Sequence, residues 1–246
     1  MTNYDDIKID AQAIIDEANR EPSADYPKIS VKGSNKYSGL TKCESFTSKG
    51  KLEVEDIDCW YDFNVKGKTR CLGNISAKNI YSKGTFYCEG EISAPRGTVG
   101  CFGKFIATKK VKSGAITIFG KADIPEGIEA NSIYLTGGAT TGVLDARTVE
   151  LYADGKMIID SIKGKKIVIS AKRKGLKRIP PFSCLVKSCV VNSSIEGESI
   201  RVARLTCPLV IGCDVEIGDG CEIELVKYSG KIEISPKAKI GKTEKI

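Results

Sequence analysis

The chain has 246 residues, 38 basic against 31 acidic side chains for a formal charge of +7, ten cysteines and no histidine. Without histidine there is no Ser-His-Asp or Cys-His nucleophile pair, no imidazole base and no His-ligated zinc or haem. The hydrophobic share of 41% with 28% charged residues is an ordinary globular balance, and 25 glycines against 8 prolines favour many turns over a bulky helical core.

Residues 1–28 read as an acidic arm. Ile7, Ala11, Ile14, Ile15 and Ala18 recur at helical spacing, which predicts a short amphipathic helix over residues 6–19. Seven acids against Lys8 and Arg20 put −5 on residues 1–26 and leave +12 on the rest. An acidic polar face argues against docking of this helix on anionic lipid, so a cover for one end of the fold, or a partner site, is expected. The start, Met1 to Asp6, has no apolar signal-peptide core, and no stretch reaches the roughly 18 apolar residues of a membrane span. A cytoplasmic protein with reduced cysteines is the expectation. No two cysteines form a C-x-x-C pair, which removes zinc-ribbon and redox readings and leaves the thiols as small core fillers.

The chain then becomes a repeat. Gly33, Gly50, Gly67 and Gly84 form an i, i+17 series. Gly103, Gly120 and Gly137 resume it after a two-residue insertion in the Ser93–Gly97 stretch, and Gly155 follows Gly137 at i+18. Four residues after each of the first seven glycines stand Tyr37, Val54, Cys71, Cys88, Ala107, Ile124 and Thr141; thirteen after come Phe46, Phe63, Ile80, Ile116 and Ile133. Ten after come the mostly small Cys43, Trp60, Ala77, Ala94, Ser113 and Ala130. Local alternation, as in Lys51–Glu55 and Ala115–Phe119, means short half-buried strands. About three strands with their turns fill such a repeat, so each unit is one coil of a β-solenoid, and equivalent positions form columns. Cys71 and Cys88 share such a column. The repeated glycine is expected to supply a positive φ at a coil corner.

Residues 29–170 therefore read as eight Gly-led coils. Residues 171–184 read as an exposed basic loop interrupting the solenoid, with Lys172, Arg173, Lys174, Lys177 and Arg178, no acid, and Pro180-Pro181 near its end. Strands resume over residues 185–246 and continue the solenoid, with Ile211, Ile217 and Ile223 on a six-residue beat and Ile232, Ile234 and Ile240 carrying the alternation on. The hexads invite comparison with left-handed β-helical acyltransferases, whose chemistry needs a histidine this chain lacks. The Gly-Lys-Thr triplets at Gly67 and Gly241 lack the P-loop glycine five positions earlier, where Asp62 and Pro236 stand. Glu53, Glu55, Asp56 and Asp58 alternate with apolar residues and read as a solvated strand face. No catalytic, metal-binding or cofactor-binding residue is expected. The basic run lacks interleaved aromatics, so no nucleic-acid partner is expected; contact with a membrane surface is the stronger alternative to a merely solvated loop.

These residues resemble a known family. The Gly-led coils, the C-terminal stretches Ser194–Ile200, Val210–Ile223 and Leu225–Gly230, and Lys239–Gly241 are similar to the bactofilins, polymer-forming cytoskeletal proteins of bacteria, in the branch found in Firmicutes. Ile162–Ile167 followed by a basic run adds to the likeness, which covers residues 30–243. The resemblance implies an all-β, single-stranded right-handed β-helix assembling end to end into filaments without nucleotide, as a non-enzymatic scaffold that recruits or positions other proteins. Candidate end-coil residues for self-association are Ile29, Val31, Ile232, Ile234 and Ile240. The implied partners are further copies of the chain; a membrane surface or envelope and appendage assembly proteins are the alternatives. The location implied is cytoplasmic, or peripheral at the inner face of the membrane. A non-polymerising β-helical adaptor is the alternative.

Overall fold

The computed structural model describes residues 26–170 and 189–246. Within them the chain is all strand and turn: β1 (Lys28–Cys43), β2 (Ser45–Cys71), β3 (Ile75–Cys88), β4 (Ile92–Ala107), β5 (Val111–Ile124), β6 (Ile128–Tyr152), β7 (Met157–Ser170), β8 (Cys189–Val191), β9 (Ser194–Val202), β10 (Leu205–Ile217), β11 (Glu222–Tyr228), β12 (Ile232–Ile234) and β13 (Lys239–Lys245). The strands pair in parallel from one coil to the next, which builds a β-solenoid of about twelve coils. The expected helix at 6–19 lies outside the described residues.

The strands are longer than the four or five residues that local alternation suggests. The ladder runs unbroken through the glycine corner, as in the run Lys28↔Ser45 to Tyr37↔Val54, so hydrogen bonding does not stop where the chain bends.

Each coil sends three i, i+2 pairs of side chains inward. In one coil these are Phe46 with Ser48, Leu52 with Val54, and Ile57 with Cys59; in the next they are Phe63 with Val65, Thr69 with Cys71, and Ile75 with Ala77. Parallel register turns the pairs into columns, such as Phe63–Ile80–Val99–Ile116–Ile133 and Val149–Ile167–Ile200–Val215–Ile232. Large and small residues alternate within a coil to keep the interior filled. Phe86 and Phe105 stack at 5.1 Å between centroids and share their coils with Cys88 and Ala107, whereas the next coil has Ala122 with Ile124.

The register departs from simple spacing at several points. The small-residue column after Cys43 contains Cys59, not Trp60, because the register slips by one between Tyr37 and Leu40, where Gly39 takes φ +70°. Cys101 stands at i+17 from Gly84, but the slip between Ser76 and Asn79 places Gly103 opposite Gly84 and Cys101, buried, opposite Ser82. The isoleucine hexads do not set the C-terminal period. Ile211 is only half-buried, the inward residues are Val210, Val215, Ile217, Cys221 and Ile223, and the pairing offsets remain coil-sized, as in Thr206↔Glu222 and Val215↔Ile232. Finally, the sheet continues across the basic segment. The chain leaves at Ser170 and re-enters at Cys189, and the next coil lies directly on the last, with Met157↔Cys189 and Ile167↔Ile200 in register.

Candidate functional site: the glycine corner and the two end coils

Gly33, Gly50, Gly67, Gly84, Gly103, Gly120 and Gly137 all have φ between +83° and +137° and lie in one column between the first and second inward pairs. Gly120 shows why no other residue fits: an added Cβ would come within 2.1 Å of the Gly103 carbonyl oxygen. Gly155 departs from the series. Its φ is not in the left-handed region, although its N–H still donates to the Gly137 carbonyl at 2.8 Å.

The thiols face inward. Cys43 lies opposite Cys59 and Cys71 opposite Cys88 in adjacent coils. Cys71 donates to the Glu55 carbonyl at 3.0 Å, and Cys88 to the Gly73 carbonyl at 3.4 Å. Burial pushes the Cys189 thiol up to about 12 and those of Cys101 and Cys207 up to about 11. Such thiols stay protonated and unreactive at neutral pH. Cys213 is the exposed exception among the described cysteines.

Three of the four clustered acids, Glu53, Glu55 and Asp56, have partners in neighbouring coils. Glu53 pairs with Lys36 at 2.8 Å, which holds its carboxyl below the usual range. Glu55 accepts from the Gly39 N–H at 2.5 Å, and Asp56 accepts from the Asn74 N–H at 2.7 Å. Each fastens a turn in a neighbouring coil. Among the described residues no three acidic or thiol side chains converge into a metal site, and no helix is long and apolar enough to cross a membrane. Lys172, Arg173, Lys174, Lys177 and Arg178 lie outside the described residues.

The end coils differ from the rest. Among the described residues β1 pairs only with β2, β12 only with β10, and β13 only with β11, so each end has a strand edge without a neighbour. Ile29, Val31 and Tyr37 at one end, and Ile232, Ala238 and Ile240 at the other, occupy inward columns yet are only partly buried; Ile234 is 40% exposed. Their interior counterparts are essentially buried. Knobs at 29, 31, 35 and 37 have the same spacing as those at 232, 234, 238 and 240.

Sequence reasoning missed the exposed side of the corner. Lys32, Lys49, Lys66 and Lys83 each stand one residue before a column glycine, and Phe102 and Phe119 follow them. The glycine frame carries that signal, which is lost when lysines are counted only as a net charge. Comparison with protein-family models, with characterised proteins and with solved structures gives no match to this chain.

Proposed function

We propose that the chain is a bactofilin-like, non-enzymatic scaffold: a right-handed β-helix that polymerises end to end without nucleotide and positions other proteins. The observation that supports this most directly is the pair of unfinished ends. An open strand edge over half-covered apolar knobs is a template for further pairing. Burying an isoleucine that is otherwise wet is worth about 1.5–3 kcal/mol, and several such side chains lie at each end. The matched spacing allows a head-to-tail joint to set Ile232 over Ile29, Ile234 over Val31 and Ile240 over Tyr37. A two-fold joint would instead bring like end to like.

Negative-stain microscopy of the purified full chain in buffer without nucleotide tests the reading. Filaments are expected, and Val31→Lys or Ile234→Lys should each abolish or greatly shorten them while leaving the far-ultraviolet circular dichroism unchanged. A chain that sediments as a monomer at high concentration would overturn polymerisation and favour the adaptor.

A further inference from the structure

The outer side of the glycine corner differs in charge pattern from the rest of the surface. Elsewhere, neighbouring coils place opposite charges against each other: Lys28 with Glu44, Lys36 with Glu53, Arg70 with Glu89, Lys109 with Glu126, Arg201 with Glu216 and Lys239 with Glu222 are cross-coil ion pairs of 2.5–3.2 Å. At the corner the register does the opposite. Lys32 lies against Lys49 and Lys66 against Lys83, in the column just before the glycines; Lys51, Lys68, Lys104 and Lys121 stand just after them. All eight are exposed, and within the described residues none forms an ion pair. Like charges directly opposite on neighbouring strands oppose each other, so the arrangement works against the fold that carries it. A purely solubilising surface mixes the two signs instead.

The same column then changes character. After Lys83 come Phe102, 56% exposed, and Phe119, with rings stacked 4.9 Å apart at 11°. The neighbouring outward column, Ser30, Thr47, Asn64, Tyr81, Gly100, Thr117 and Tyr134, holds no charge in the first seven coils, and Tyr81 is 42% exposed. A carboxylate-free strip thus runs parallel to the solenoid axis, from Lys32 in the first coil to Lys121 in the sixth. Five coil steps make it about 24 Å long.

We propose that this strip is a docking ridge for an anionic lipid surface. Lysines on both flanks of the corner meet phosphate headgroups, while Phe102 and Tyr81 enter the interfacial layer between them. The ridge is an outward corner with aromatic rings at its crest, which suits a plane rather than an enclosed strand. The Phe102 and Phe119 rings cover each other's faces, so no base can stack between them without parting them, and this disfavours single-stranded nucleic acid. Because the ridge follows the solenoid axis, the solenoid lies flat on the surface. Docking in this way does not depend on polymerisation.

Flotation of the purified full chain with vesicles of phosphatidylcholine alone, or mixed with phosphatidylglycerol, tests the ridge. Binding is expected only to the anionic vesicles and should weaken as salt rises. Each lysine near such a leaflet is worth about fivefold in partition, so Lys49→Glu/Lys66→Glu/Lys83→Glu should lose on the order of 100-fold or more. Phe102→Ser should lose severalfold and make the remaining binding more salt-sensitive. Circular dichroism and protection of the buried thiols report that each variant folds. The proposal is overturned if the wild-type chain ignores anionic vesicles, or if the triple variant binds as well as wild type. It also fails if Lys172→Glu/Arg173→Glu/Lys174→Glu alone abolishes binding, or if a single-stranded oligonucleotide binds the chain more tightly than the vesicles do.

Discussion

Thr141 illustrates how little tolerance the interior columns have for polar atoms. Its side chain lies between Ile124 and Ile159, is 3% exposed, and among the described residues its hydroxyl has no hydrogen-bond partner. Removing a buried unpaired hydroxyl while keeping the shape recovers its desolvation cost. Thr141→Val is expected to stabilise the fold by about 1 kcal/mol, read as a higher urea midpoint; an unchanged or lower midpoint contradicts the account. The glycine column offers the opposite contrast. In Gly120→Ala the new methyl would meet the Gly103 carbonyl, whereas none of the described residues lies within 4 Å of the same methyl at Gly33. Gly33→Ala bears only the left-handed backbone penalty of about 1–2 kcal/mol, so it should fold as a slightly weakened chain. Gly120→Ala should cost several times that amount, or fail to fold, when the two are compared by thermal melts.

At the scale of the strand and its neighbours, the thiols tie packing to pH. Below about pH 8.5 the folded and unfolded chains both keep Cys101, Cys189 and Cys207 protonated, and the full stability is present. Above it the unfolded chain releases these protons while burial holds them in the folded one up to about 11–12. Each such thiol then removes about 1.4 kcal/mol per pH unit. The urea midpoint should be flat near neutrality and fall steeply in alkali, and Cys207→Val should flatten that fall; an identical slope in the variant would contradict it. Alkylation followed by mass spectrometry should label Cys213 rapidly and the eight buried cysteines only in denaturant.

Much of this architecture is legible in the residues themselves. The columns of Phe46 and Val54 follow from spacing to a glycine ruler, because one backbone conformation recurs and fixes the phase of everything around it. Spacing alone puts Trp60 in the wrong column because the bulge at Gly39 inserts a slip that only the paired strand reveals. Coils beyond Gly137 are hard to phase, since the column of left-handed corner glycines ends there. The corner lysines are readable only against that ruler: Lys32, Lys49, Lys66 and Lys83 each stand one residue before a corner glycine, and a count of net charge loses them.

At the scale of the molecule, each coil rests on the one before and supports the one after, so cohesion is local even where the chain between neighbouring coils is long. The whole of residues 171–188 is spent between Ser170 and Cys189, and the stack beyond them is laid as though they were absent. About twelve coils at about 4.8 Å make a rod of about 58 Å. In a head-to-tail polymer that length becomes a repeat distance, and the sequence of residues 171–188 recurs once in each repeat. Such a filament is a ruled rod whose graduations can be changed in length and sequence without disturbing the scale beneath them. A foreign peptide placed there should be displayed at fixed intervals, whereas the same insertion at either end would stop growth.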